Sequence, residues 1–294
     1  MKKKVTVVGG ITTDITGFPN RALVLGDSNP GRVRMSEGGV GRNIAENLIR
    51  MGFDVELICA MGGDAYCEAH IAAAREIGLS LKNAVRVENG RSGVYLCLCD
   101  ENGDMFAALN DMDEIFSALT PETVNMDVVN GADLCVIDAN LPKETLLFIA
   151  KNAKVPVMAD SVSAAKAGRL KETLNYLYAI KPNLIEAEAL TGKTSPEGAA
   201  DALLAMGVKK VFLSLGALGI YYADENERGI ASVKPVKAKN ATGAGDSATA
   251  ALCAGFLAGL SAEGCARLAA RVGALTVQAE TAVSPALTKE FLLG

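Results

Sequence analysis

The chain has 294 residues, a formal net charge of −5, one histidine and no tryptophan, and half of it is hydrophobic. That length and apolar content support a large buried core and exclude intrinsic disorder, while the mild acidity argues against a surface built to bind a nucleic-acid backbone. With His70 as the single histidine, metal sites that need two or more histidines are excluded, and acid–base work falls to carboxylates and lysines.

Lys2, Lys3 and Lys4 lead straight into residues 5–8, an apolar run that stops at Gly9–Gly10 and reads as a buried strand. No apolar leader with a small-residue cleavage site stands there, so a cytoplasmic protein is expected. Residues 10–14 (GITTD) stand at the end of that strand. Ligands of open α/β sheets bind at the carboxyl ends of strands, where Asp14 either accepts hydrogen bonds from vicinal hydroxyls or is a plain loop carboxylate.

Residues 32–35 alternate charged and apolar side chains, as a half-exposed strand does. In residues 37–45 (EGGVGRNIA), Gly38, Gly39 and Gly41 open a helix that carries Asn43 in its first turn. Close backbone approach with a projecting amide suits recognition of polyol hydroxyls; the alternative is a glycine-rich turn packed on the sheet. The spacing predicts a helix over 42–50, a strand over 55–60 and a helix over 65–77, with His70 as a structural residue. Residues 92–99 are rich in strand formers, 100–103 (DENG) supply a turn, and 105–109 return as the partner strand, followed by Asn110 and Asp111.

Further strands are expected at 134–138, 155–159 and 211–215, separated by helices at 143–152 and 197–206, with Asn140 just beyond a strand end. Such alternation predicts a mostly parallel sheet covered on both faces. The β-rich segments that break the rhythm, at about 12–36 and 90–111, are expected to form a small sheet inserted as a lid on a single domain spanning 1–294. An edge hairpin (219–222 with 229–233) and two long helices (243–257 and 262–278) complete the chain. The uncharged stretch 247–262 is too short for a membrane span. Most of the seven cysteines lie in apolar runs and none forms C-x-x-C, so they read as reduced core residues.

Residues 240–246 (NATGAGD) carry the most pointed chemistry. Glycines at the start of an apolar helix leave backbone N–H groups free for an anion. Asp246 would repel that anion, which makes sense if it takes a proton from an attacking hydroxyl; otherwise it is a helix-start aspartate favoured by the dipole. Gly243-x-Gly245-x-x-Ala248 also fits a dinucleotide fingerprint, but it follows no opening strand. Gly192–Lys193–Thr194 imitates a P-loop tail, yet Ala187 stands where its first glycine belongs.

With Asn183 and Glu186 in residues 181–186 (KPNLIE) and Ser214, Gly216 and Gly219 in 214–219 (SLGALG), these motifs together resemble the ribokinase-type (PfkB) carbohydrate and nucleoside kinases over essentially the whole chain. The resemblance implies a ribokinase-like three-layer αβα body, Rossmann-like, with a small β lid. It implies that Asp246 is the base and that Gly243, Ala244 and Gly245 lend N–H groups to the transferred phosphoryl. Asp14, Gly38, Gly39 and Asn43 would hold the acceptor's hydroxyls; Asn183, Ser214, Gly216, Gly219 and Thr242 would bind ATP; Glu186 would organise Mg²⁺ through water. Residues 27–31 (DSNPG), 110–112 (NDM) and 160–163 (DSVS) are similar to the pseudouridine kinase branch, which implies a pseudouridine acceptor with Asn110, Asp111 and Asn140 as contacts. A free sugar or another nucleoside is the alternative acceptor. Residues 281–284 match the region where many relatives bind K⁺, so that cation is carried as an option. Small-molecule partners are expected, with neither nucleic acid nor membrane, and a homodimer formed through the lid. A non-catalytic binding protein on the same scaffold and a nicotinamide-dependent oxidoreductase are the competing classes; the retained Asp246 with its glycines opposes the first, and Gly9–Gly10–Ile11 fails to supply the fingerprint for the second.

Overall fold

The computed structural model describes residues 2–292. In chain order its strands are β1 (Lys4–Val8), β2 (Thr12–Pro19), β3 (Gly31–Gly38), β4 (Asp54–Ile58), β5 (Ala60–Gly62), β6 (Val85–Val87) and β7 (Val94–Cys99). They continue as β8 (Met105–Asp111), β9 (Leu134–Asp138), β10 (Val157–Asp160), β11 (Ala179–Lys181), β12 (Lys210–Ser214), β13 (Ile220–Ala223) and β14 (Arg228–Ala231).

Eight of these form one sheet in the order β14-β13-β12-β11-β10-β9-β1-β4, parallel from β4 to β12 and antiparallel at the β13 and β14 edge. Alternation sorts its side chains to two cores. Val5, Val7, Leu134 and Val136 face the helices Val40–Arg50, Ala244–Leu257 and Ala262–Thr276. Val8, Cys135 and Ile137 face Lys143–Asn152 and Pro196–Ala205. Both faces being covered explains why these strands read as continuous apolar runs. The two long C-terminal helices pack closely at a glycine: a Cβ on Gly255 would meet Cys265 Sγ at 2.7 Å.

A separate four-stranded sheet has the order β3-β2-β7-β8, with β2 and β7 parallel and the outer pairs antiparallel. Opposed residues share a face of a sheet. One row therefore reads Ser36, Asp14, Tyr95, Asn110, and the next row, on the opposite face, reads Met35, Ile15, Leu96, Leu109. Val33 and Leu98 lie on that second face too, which leaves Val33 at 72 %, Met35 at 56 % and Leu109 at 71 % exposed.

The chain re-enters extended structure at Thr12, so Asp14 is a strand residue and not a loop carboxylate. The single strand expected over 55–60 breaks after Ile58, and Ala60–Gly62 pairs instead with β6 in a two-stranded sheet. In both cases an apolar or β-branched run hides a change of partner, which periodicity does not register. Asn110 and Asp111 do not follow the hairpin but end its second strand. His70 is buried, its ring nitrogens against Glu37 and Thr13, so it ties the Ala65–Ile77 helix to the roots of β2 and β3.

Candidate active site

A cleft of about 620 Å³ opens where β10, β11 and β12 end, roofed by the first turn of the Ala244–Leu257 helix and by residues 233–238 and 269–277. Gly243 caps that helix with φ +80°, a left-handed conformation that glycine adopts freely, and a Cβ there would meet Ala282 O at 2.0 Å. The N–H groups of Gly243, Gly245 and Asp246 bond to no group among the described residues, whereas Ala244 N donates to Ala241 O at 3.4 Å. The open amides are thus those of 243, 245 and 246, a shift from the expected 243, 244 and 245. They point at the N-terminal end of a 14-residue helix, where the dipole favours an anion.

Asp246 is half-buried at this turn, with its carboxylate facing the cleft. Loss of solvation, reinforced by the nearby Asp160 and Asp138 charges, pushes its pKa up to about 7 against the pull of Asn43 and Lys181. Asn43 Nδ2 donates to Asp246 Oδ2 at 2.8 Å. The amide is oriented by Arg42, whose Nη1 donates to Asn43 Oδ1 at 3.2 Å and which is itself paired with Glu46. Gly39 makes the approach possible: its φ is +94°, and a Cβ would fall 2.6 Å from Gly10 O.

Asp14 accepts from Thr12 Oγ1 at 2.9 Å, and burial raises its pKa although Arg42 acts to lower it. Gly38 lies against that carboxyl, a Cβ there meeting Asp14 Oδ1 at 2.2 Å. Asn140 belongs to the same end of the body: its N–H donates to Asp138 Oδ1 at 2.9 Å, and Asp138 Oδ2 accepts from Gly10 N at 2.8 Å. Burial pushes the Asp138 pKa up to about 6. Lys166 Nζ donates to Asn140 Oδ1 at 2.6 Å, while Arg169 holds the Asn140 carbonyl at 2.9 Å.

On the far side of Asp246, Asn183 and Glu186 form a capping box for the Leu184–Thr191 helix. Glu186 N donates to Asn183 Oδ1 at 2.9 Å, and Glu186 Oε2 accepts from Asn183 N at 3.0 Å and Ser161 Oγ at 2.7 Å. Ser214, Gly216 and Gly219 line the cleft with them.

The fold therefore brings Asp14, Gly38, Gly39 and Asn43 to one side of Asp246, and Asn183, Glu186, Ser214, Gly216 and Gly219 to the other. Asn110 shares the Asp14 face of the small sheet. Two expected contacts are not brought in. Asp111 falls on the opposite face, 3.4 Å from Arg91, and Thr242 lies outside the cleft lining with its N–H on Asn240 Oδ1 at 2.9 Å. Sequence reasoning missed Lys181, Asp160, Lys166 and Arg42. A lysine at a strand end just before Pro182–Asn183 was a usable signal for the first, the motifs at 160–163 and 37–45 contain Asp160 and Arg42 without marking their roles, and nothing local distinguishes Lys166.

The chain matches the pfkB family carbohydrate kinase profile over residues 2–289. It is 34 % identical over 284 residues to the pseudouridine kinase of Escherichia coli (strain K12), covering 91 % of this chain and 90 % of that one. A carbohydrate kinase from Agrobacterium tumefaciens superposes with a TM-score of 0.87 at 30 % identity, covering 99 % of this chain and 96 % of that one. Arabidopsis thaliana ribokinase, solved with ribose and ATP, superposes with a TM-score of 0.87 at 24 % identity over 100 % of this chain and 98 % of its own, which establishes the ribokinase-like fold. The chain belongs to the pfkB family of carbohydrate kinases, enzymes that transfer phosphate to a hydroxyl group.

Proposed function

We propose that this protein transfers the γ-phosphoryl group of ATP to the 5′-hydroxyl of pseudouridine, with Asp246 as the base. The observation that carries the reading is the position of Asp246: between a nucleotide-sized cleft and the Asp14–Asn43 cluster, beside helix amides unpaired among the described residues, with a pKa raised to about 7. Asp246 takes the hydroxyl proton as the acceptor oxygen bonds to the γ-phosphorus. The bond from that phosphorus to the β,γ-bridging oxygen breaks, and ADP leaves. The amides of 243, 245 and 246 receive the charge on the transferring group, and in phosphoryl transfer such positioning and charge stabilisation supply most of the catalysis.

Asp14 and Asn43 offer acceptors and donors to sugar hydroxyls. Lys166 on Asn140 adds a donor beside an amide at the same end of the body, which suits a ring bearing both carbonyls and N–H groups, as uracil does. Among the described residues no three potential ligand side chains cluster for a metal. A magnesium ion arriving on the nucleotide phosphates, with Glu186 reaching it through water, fits that arrangement, because Mg²⁺ keeps several waters and takes few protein ligands. The ion supplies positive charge to the phosphates.

A free sugar is the second reading, favoured by the whole-chain likeness to the carbohydrate kinase and ribokinase structures. The partner of the small sheet's apolar face is a second copy of this chain: Val33, Met35, Leu96 and Leu109 form one patch that a lone molecule leaves wet. Incubating the purified enzyme with ATP, Mg²⁺ and either pseudouridine or ribose, and assigning the phosphorylated position by NMR, tests the assignment.

A further inference from the structure

Lys181 ends β11 with its side chain only 5 % exposed, yet its ammonium makes no hydrogen bond to any described residue. Its nearest charge is Asp160 Oδ2 at 3.5 Å. That carboxylate is already served, by Thr249 Oγ1 at 2.6 Å on the same oxygen and by Val162 N at 2.9 Å on the other. Lys181 lines the cleft, and a Cβ built on Gly245 would meet its Nζ at 3.5 Å. A desolvated ammonium with one ion-pair contact and no hydrogen bond therefore stands beside the amides that begin the Ala244–Leu257 helix. Burying such a charge is costly unless something binds it, and among the described residues its nearest anion is a carboxylate that other donors already serve, with Asp246 farther off.

We infer that Lys181 is a catalytic residue whose ammonium contacts a non-bridging oxygen of the transferred phosphoryl group and, with the amides of 243, 245 and 246, completes its anion cradle. The inference rests on the kinase reading above. A lysine suits the task as a compact point charge that follows a moving oxygen without the fixed fork of an arginine. The same position explains its second effect, which is to hold the Asp246 carboxyl lower than burial alone would leave it.

The test compares wild type, Lys181→Met, Asp160→Asn and the double variant. Calorimetry measures binding of ADP alone and of ADP with aluminium fluoride in the presence of pseudouridine, and a coupled assay measures kcat. Losing one preorganised donor to a transition-state oxygen costs about 10²–10³ in kcat, so Lys181→Met should lose that factor and bind ADP–aluminium fluoride about 100-fold more weakly, with ADP itself within about threefold. Asp160→Asn/Lys181→Met should lie about 10²-fold below Asp160→Asn alone, and because it carries no unpaired buried charge it keeps the comparison available if the single variant does not fold. Equal weakening of both ligands, or a loss that vanishes on the Asp160→Asn background, would overturn the inference by reducing Lys181 to a counter-ion. A wild-type protein that forms no ADP with any acceptor would overturn the kinase reading itself, and this inference with it.

Discussion

Asn43 and Asp246 lie 203 positions apart in sequence and meet at 2.8 Å, the Asn43 amide donating to the carboxylate from the first turn of one helix to the first turn of another. This bond joins the two glycine-rich stretches into one site. It stabilises the charged form of a carboxyl that burial otherwise keeps protonated.

Asp246→Asn removes the base and leaves the cleft intact. A positioned base contributes about 10²–10⁴-fold, so kcat should fall by that factor while ADP affinity stays within about twofold. Steady-state kinetics with calorimetry of ADP binding check this.

The pH dependence follows from the raised pKa. Asp246 acts only when deprotonated, so kcat/KM should rise with pH through about 7 and level off above it. Asn43→Leu removes a hydrogen bond to the charged form and should move that limb upward by about one pH unit. A limb left in place would separate the Asn43 contact from the titration.

Stability carries the opposite sign. A carboxyl whose folded pKa exceeds its unfolded value contributes most below the unfolded pKa and loses that contribution as pH rises through about 7. Asp246→Asn should therefore raise Tm relative to wild type at pH 8 and show less difference at pH 5, as thermal melts at the two pH values will tell.

Much of this was legible in the chain. Val5–Val8 and Leu134–Asp138 declare buried strands because both faces of the sheet are covered, and the glycines at 39 and 243 mark the turns where side chains have no room. Lys181 and Asp160 escaped because their significance lies in each other's position at adjacent strand ends, which the sequence separates by 21 residues. Asp111 was placed in the site because a hairpin exit looks like a loop; strand alternation turns it away while keeping Asn110 on the face of Asp14.

Gly39→Ala and Gly243→Ala test the close approaches. Each forces a side chain into left-handed backbone, at about 1–2 kcal/mol, before the contacts with Gly10 O and Ala282 O are counted. Both variants should melt at lower temperature, and both should lose activity beyond what the loss of folded protein explains.

The apolar face of the small sheet predicts a dimer. Met35→Glu/Leu109→Glu sets two charges into the patch and should convert a dimer to a monomer in sedimentation velocity. A wild type that sediments as a monomer at micromolar concentration would remove this assignment and leave the catalytic account standing.

The most direct measurement is ATP-dependent phosphorylation by the purified protein of pseudouridine, uridine, adenosine, ribose and fructose, with Asp246→Asn as control. The account predicts pseudouridine 5′-phosphate and ADP in equal amounts, kcat/KM for pseudouridine at least ~10-fold above the other acceptors because the site's polar groups go unpaired with them, and almost no turnover by the variant. No ADP formation with any acceptor, or undiminished turnover by Asp246→Asn, would contradict it.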